Sequence, residues 1–295
     1  MKRNWPLHFF LLPAVVLAFV FSYAPLPGII MAFMDFKPYL GFTESPWVGL
    51  EQFRRMIEFE DAKQVIWNTL IISTMKIILN LIVPIIFAIL LNEVRKLFFK
   101  RTIQTLVYLP YFLSWVILGG IMLDMLSVDG GIVNNFLTSA FGIDPIFFLG
   151  DGDWFRLTAV GTDVWKEFGY SAIVFLAALA GISPDLYEAA TIDGANRFQQ
   201  VLHITLPSLL PITIVVATLA LGNVLNAGFD QIFNLYNPLV YEKGDIIDTF
   251  VYREGLLGGQ FSFATAVGLF KSFIGMILII TGYKLAHKYA GYRIF

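Results

Sequence analysis

A chain of 295 residues that is 57% hydrophobic and only 14% charged, with a mean hydropathy of +0.72, excludes an ordinary soluble domain, where about a quarter of residues are charged. A net charge of −2 with no long basic tract excludes a nucleic-acid-binding surface. The absence of cysteine removes disulfides, thiolate catalysis and cysteine metal sites together.

A hydrocarbon core about 30 Å thick needs about 20 helical residues. Six stretches reach that length: Leu7–Phe33, Val65–Leu91, Ile103–Leu126, Leu157–Ala180, Ile204–Leu225 and Ala264–Lys284. Their apolar runs are continuous rather than alternating, which predicts helices and not barrel strands. The expected fold class is therefore all-α, a polytopic membrane protein of six transmembrane helices. Residues 1–64 supply the first span and an outer segment, and 65–295 a core of five spans.

In the first span, Lys2 and Arg3 precede the apolar run, and Ser22–Ala24 has the small-x-small form of a signal cleavage site. Pro25 follows directly and apolar residues continue to Phe33, so an uncleaved span is expected, loosened at its outer end by Pro25 and Pro27. The second span carries a polar stripe, Thr69, Ser73, Lys76 and Asn80, spaced 4, 3 and 4 residues. That spacing puts all four on one helical face. A lysine deep in a span is costly to bury unpaired. The stripe is thus either a wall of a translocation path or polar packing, with Lys76 paired to a carboxylate from another span.

In the third span, Pro110 within "YLPYFLSW" predicts a bend, and Asp124 near the outer end can reach the interface. The fourth carries Asp163, Lys166 and Glu167, which are expected to pair with one another. Between the fourth and fifth spans lies a short mixed segment. Ser183 is a helix cap, with Pro184 at the first helical position and Asp185 in the first turn. "PDLYEAATI" is too short to span, and Asp193-Gly194 ends it. A second short helix, with Ala195, Phe198 and Leu202 on one side, is predicted before Pro207 and Pro211. The fifth span runs out into "GNVLNAGFDQIFNLYNP", where Asn223, Asn226 and Asp230 lie near one face.

Orientation follows from Lys and Arg placement. Arg95, Lys96, Lys100 and Arg101 crowd the segment 92–102, and Lys288 and Arg293 the tail, whereas 34–64 holds six Asp/Glu against four Lys/Arg. Both termini and the segment 181–203 are therefore expected on the cytoplasmic side of a cell membrane. No Gly-x-x-x-x-Gly-Lys-Ser/Thr loop, His-Glu-x-x-His or Gly-x-Ser-x-Gly occurs, and His8, His203 and His287 lie far apart. An enzyme has no visible machinery here.

One pattern is specific. Glu188-Ala189-Ala190, three residues, Gly194, nine residues, then Ile204-Thr205-Leu206-Pro207 matches the EAA motif at every marked position. The chain thereby resembles the permease subunits of binding-protein-dependent ABC importers. The stretches 34–53, 176–195, 232–256 and 259–272 are similar to the LplB-type branch for polysaccharide or complex oligosaccharide uptake, related to the maltose permeases. It departs from them in a short tail and in a segment 34–64 too small for a substrate-grasping domain.

The resemblance implies a maltose-permease-like fold in which the loop at 181–207 is a coupling helix docked on a cytoplasmic ATPase. Glu188 would make polar contact there, Ala189 and Ala190 would allow close approach, and Gly194 would set the turn. Asp193 would either cap the second short helix or touch the ATPase. The implied partners are a second permease subunit, distinct or identical, an ATPase dimer that uses ATP and magnesium, and an extracellular solute-binding protein that delivers an oligosaccharide. No cofactor is expected on this chain. Sugar sites use planar amides, carboxylates and aromatic faces, so Lys76, Asn80, Tyr111, Trp115, Asn223, Asn226 and Asp230 are the candidate lining of the path. For Tyr111 and Trp115 the alternative is helix packing, and for the last three an outer cap of turn residues. The rival functions are the same machinery for glycerol phosphate or an amino acid, and an ATP-independent channel or membrane scaffold.

Overall fold

The computed structural model describes residues 5–290, with side chains described from 9 to 284. Lys2, Arg3, His8, His287, Lys288 and Arg293, and the part of the orientation argument that rests on them, lie outside the described side chains. Among the described residues the backbone is helical, and its one extended pairing is an isolated bridge between Met34 and Trp47.

Four helices are long and apolar enough to cross a membrane: Phe9–Phe33, Glu60–Asn92, Arg197–Leu221 and Phe261–Lys284. The number becomes six if two bent pairs each count as one span: Leu97–Phe112 with Trp115–Met125, bent by 102°, and Gly152–Ala180 with Pro184–Ile192, bent by 68°. At most 22% of the apolar window of each of the four single helices is buried inside the protein. Most of the Leu, Ile and Phe surface therefore faces outward, as befits helices whose solvent is lipid.

Contacts divide the described chain into two units, the residues up to Lys63 with Phe250–Ser272, and Gln64–Thr249 with the residues from Phe273. In the first, α1 (Trp5–Ala18) widens into a π turn at Phe19–Tyr23 and then tightens into a 3-10 stretch at Leu26–Phe33. Pro25 and Pro27 remove two helical donors there, so the loosening is the expected one. The outer segment of this unit is tied down by Phe36 N donating to Ser262 Oγ at 2.8 Å and Arg55 donating to Gln260 Oε1 at 2.6 Å.

The second unit is built on α2 (Glu60–Asn92), α3 (Leu97–Tyr108), α4 (Trp115–Met125), α5 (Gly152–Ala180), α6 (Pro184–Ile192), α7 (Arg197–Leu221) and α8 (Phe229–Leu235). Helices in lipid associate through close packing and polar contacts rather than through loss of water. Both are present. Gly169 of α5 lies so near α3 that a Cβ there would stand 2.7 Å from Val107 Cγ1. Ile72, Phe155, Val160, Ile232 and Ile246 fill one core, and Ala88, Ala172, Phe175 and Leu209 another.

Three expectations are corrected. The third span, Ile103–Leu126, is two helices: α3 tightens through a 3-10 turn at Leu109–Phe112, Leu113 is extended, and α4 restarts from Ser114, whose Oγ accepts from Ile117 N. Pro110 lies in the turn that makes the bend. The predicted second short helix after Gly194 is the first turn of α7 itself, joined to the fifth span through a π turn at Val201–Thr205 in which Leu206 N donates to Val201 O. Pro207 has no N–H for the His203 carbonyl, and the wider turn carries the helix past it. Asp163 does not pair with its neighbours on α5; its partner is Lys76 at 3.0 Å. The fourth helix, charged by Asp163, Lys166 and Glu167, reaches an apolar span only together with α6.

The polar stripe of α2 explains how irregular backbone survives beside it. Thr69, Ser73 and Lys76 are all buried. Thr69 Oγ1 accepts from Ile247 N at 2.9 Å, and Ser73 Oγ donates to Val224 O. Lys76 Nζ donates to Ala227 O at 2.7 Å and to Gln231 Oε1, besides its ion pair with Asp163. The chain beyond α7 is non-helical here, so its carbonyls have no helical donors, and α2 supplies them. The break between α3 and α4 is mended likewise by Lys166, whose Nζ donates to Tyr111 O at 2.8 Å.

A buried ion pair stripped of one member leaves an uncompensated charge. Lys76→Met is therefore expected to cost about 3–5 kcal/mol in thermal or chemical unfolding of the purified protein. Adding Asp163→Asn should restore a large part of that loss. Equal losses in the single and the double variant would contradict the pairing.

Candidate functional site

Two places collect the residues singled out from the sequence. The first is the elbow between α5 and α7. Ser183 Oγ accepts from Asp185 N at 3.3 Å and starts α6, which runs over the nine residues Pro184–Ile192. Its end is closed by two reversed hydrogen bonds: Ala195 N donates to Ala190 O at 2.8 Å and Gly194 N to Thr191 O at 3.1 Å. This closure needs a left-handed residue after the cap, and Gly194 has φ +81°. Asn196 then opens α7 in a capping box, accepting from Gln199 N at 2.9 Å while Gln199 Oε1 accepts from Asn196 N at 2.8 Å. The capping alternative for Asp193 is thereby corrected: it is the exposed residue that follows Ile192 at the C-terminal end of α6, and Asn196 does the capping.

The elbow is braced against α7. Tyr187 Oη and Thr205 Oγ1 are 3.0 Å apart, and Gln200 Nε2 donates to Thr191 Oγ1 at 3.0 Å. An exposed ion pair between Arg197 and Glu93 adds little by itself. The outer surface of the elbow is different in kind. Glu188, Ala189, Asp193 and Gly194 are exposed, Ala190 partly so, and Ile192 and Phe198 are 86% and 74% exposed beside them. Exposed apolar side chains grouped on a helix too short to cross a bilayer mark a contact surface.

The second place is a cavity of about 350 Å³ beside α2, α5 and the end of α7, within the range of small-molecule pockets. Lys76, Asn80, Asn223 and Asn226 all line it, together with Asp163 and Ser171. Asp163 Oδ2 accepts from Asn80 Nδ2 at 2.9 Å. The side chains of Asn223 and Asn226 hold no hydrogen bond among the described residues and are exposed to the cavity. They are the free polar groups of the wall.

The other candidates lie elsewhere. Tyr111 and Trp115 flank the break of the third span, with Lys166 Nζ 5.0 Å and 5.7 Å from their ring centroids and Tyr111 stacked on Tyr170 at 4.0 Å. Asp230 is exposed in the first turn of α8 and is not part of the cavity wall. Sequence reasoning missed Asp163 as the partner of Lys76, Ser171 as lining, and Gln231 as the fully buried link between Lys76 and α5, where its Nε2 donates to Ala159 O at 2.7 Å. Gln231 carries no local signal, because its neighbours in space are 72 and 155 residues away.

With this geometry in place, the comparisons with known proteins agree. Residues 80–288 match the model of the binding-protein-dependent transport system inner membrane component family. The chain is 42% identical to Protein LplB of Bacillus subtilis (strain 168), over 98% of this chain and 91% of that protein. It is 41% identical to the polygalacturonan/rhamnogalacturonan transport system permease protein YteP of the same organism, over 96% of this chain and 88% of that one. The crystal structure of a bacterial alginate ABC transporter, in complex with an alginate pentasaccharide-bound periplasmic protein, contains a chain that superposes with a TM-score of 0.86 at 37% identity, over 97% of this chain and 96% of that one. The chain belongs to the family of binding-protein-dependent transport system inner membrane components, the membrane-embedded permease subunits of ABC importers.

Proposed function

We propose that this chain imports an oligosaccharide or polysaccharide fragment, as one of two permease subunits working on a cytoplasmic ATPase dimer. An external solute-binding protein delivers the cargo to the outer mouth. Six spans, each bent pair counted as one, set both termini inside the cell membrane, with residues 1–64 leading into the core of 65–295. The chain binds no cofactor of its own; ATP and magnesium belong to the ATPase. The YteP relative, by its name, carries polygalacturonan or rhamnogalacturonan and the alginate transporter alginate, which supports a saccharide cargo. The cavity with its free planar amides at Asn223 and Asn226 supports it from the chemistry of the chain, since amides match hydroxyl groups as both donors and acceptors.

The observation that carries the mechanism is the exposed, braced elbow. Glu188, Ala189, Ala190, Asp193 and Gly194 present small side chains and two carboxylates, with Ile192 and Phe198 alongside. Such a surface can seat in a groove of the ATPase, where small residues permit close approach and buried charges must find partners. The elbow continues into α7, whose 25 residues extend about 37 Å at 1.5 Å each. Asn223 follows directly beyond its far end. A push on the elbow therefore moves the cavity amides through a single helix. ATP-driven closure of the ATPase dimer would favour the outward-open arrangement, and release the inward-open one, because the two states differ in how the elbows fit the motor.

Two variants test the two halves. A β-branched residue at φ +81° costs about 1–3 kcal/mol, so Gly194→Val should deplete the ATPase from the purified importer and lower uptake at least severalfold, with Gly194→Asn milder. Intact assembly and normal uptake by Gly194→Val would overturn the role of the elbow. Asn223→Leu with Asn226→Leu should abolish saccharide uptake into proteoliposomes while the ATPase stays bound. Unchanged uptake would remove the amides from the path.

A further inference from the structure

The charges on the cavity wall are already spent on each other. Lys76 and Asp163 are the ionisable groups among its lining residues. An ammonium has three N–H donors, and those of Lys76 meet Asp163 Oδ1 at 3.0 Å, Ala227 O at 2.7 Å and Gln231 Oε1. The second oxygen of Asp163 is held by Asn80 Nδ2 at 2.9 Å. The net charge of the wall is zero, and its one cation points into the broken backbone rather than toward a ligand. Lys166, the nearest cation in sequence to Asp163, is likewise held, by Tyr111 O and Glu167.

The other polar groups of the wall carry no charge: the free amides of Asn223 and Asn226 and the hydroxyl of Ser171. They both donate and accept, as the hydroxyl groups of a sugar do, and none of them offsets the cost of stripping water from a carboxylate. A carboxylate brought here would lose its water, face the Asp163 oxygens and find no unpaired cation among the described lining residues of this chain.

From this balance, and resting on the reading of the cavity as part of a saccharide path, we infer that the site selects an uncharged oligosaccharide, or an uncharged stretch of one, over a uronate. This differs from the acidic polysaccharide, alginate, whose import the similar transporter structure is named for. Asn80, which lines the cavity and holds the carboxylate of Asp163 with its amide nitrogen, is the position at which the charge of the wall can be changed.

The test uses a matched pair of probes, a galacturonate pentasaccharide and its fully methyl-esterified form, which share one backbone and differ in the charge and one methyl group of each residue. Equilibrium binding is measured on the purified importer of two permeases and two ATPases, with the binding protein omitted so that only the membrane site selects. The ester should bind at least about tenfold more tightly than the acid at low salt, a difference of about 1.4 kcal/mol. Asn80→Lys, which adds a cation to the wall, should narrow or invert that ratio. Equal or tighter binding of the acid by the unmodified importer would overturn the inference while leaving the saccharide path standing. Failure of both probes and of neutral galactan and arabinan pentasaccharides would overturn the path and the inference together.

Discussion

In hydrocarbon no water is present to satisfy a free carbonyl or amide, so every departure from a continuous helix must be mended by protein. This constraint organises the second unit. The third span breaks at Leu113, and Lys166 of α5 takes up the Tyr111 carbonyl. The chain leaves α7 after Leu221, and Ser73 and Lys76 of α2 take up the carbonyls of Val224 and Ala227. Farther along, Thr69 accepts from Ile247 N, and Asn68 donates to the Asp245 carbonyl at 3.1 Å. The stripe on α2 is therefore first a scaffold for irregular backbone. The polar wall of the cavity is a consequence, because irregular backbone is what leaves room for one.

The same constraint gives the lever its form. A helix that had to stop at Pro207 would have left free carbonyls and a hinge between the elbow and the bilayer. The π turn at Val201–Thr205 avoids both, and Tyr187 and Gln200 fasten α6 to the start of α7. The elbow and the far end of α7 are thus joined through one continuous helix. On the proposed mechanism, force applied beneath the membrane reaches the cavity along this helix, and the Lys76–Asp163 pair is the post against which the amides of Asn223 and Asn226 shift.

Much of this was legible before any coordinates. The apolar runs located the long helices of the first, second and last spans to within about six residues, because continuous hydrophobicity leaves a chain in lipid few alternatives, but not the break in the third. Ser183-Pro184-Asp185 and Gly194 marked both ends of α6, since each acts on backbone within two or three residues of itself. The spacing of Thr69, Ser73, Lys76 and Asn80 announced a buried polar face. What stayed hidden was long-range. Nothing near Lys76 names Asp163, 87 residues on, or Gln231, 155 residues on. The junction at Val201–Thr205 was misread because two prolines near a polar segment look like a stop, whereas one wide turn absorbs the missing donor. Asp193 looked like a cap, and Asn196, three residues later with Gln199 behind it, carried the stronger capping signal.

The central claim is that the Glu188–Gly194 elbow is the place where the motor pushes. The chain has no cysteine, so Ala189→Cys introduces a single thiol on the exposed face of α6. In vesicles holding the whole importer, a short thiol-to-amine crosslinker should join that thiol to the ATPase subunit, with a yield that changes between nucleotide-free and ATP-bound states. Labelling of the same cysteine from outside intact cells by a membrane-impermeant maleimide, or no crosslink to the ATPase in any nucleotide state, would contradict the account.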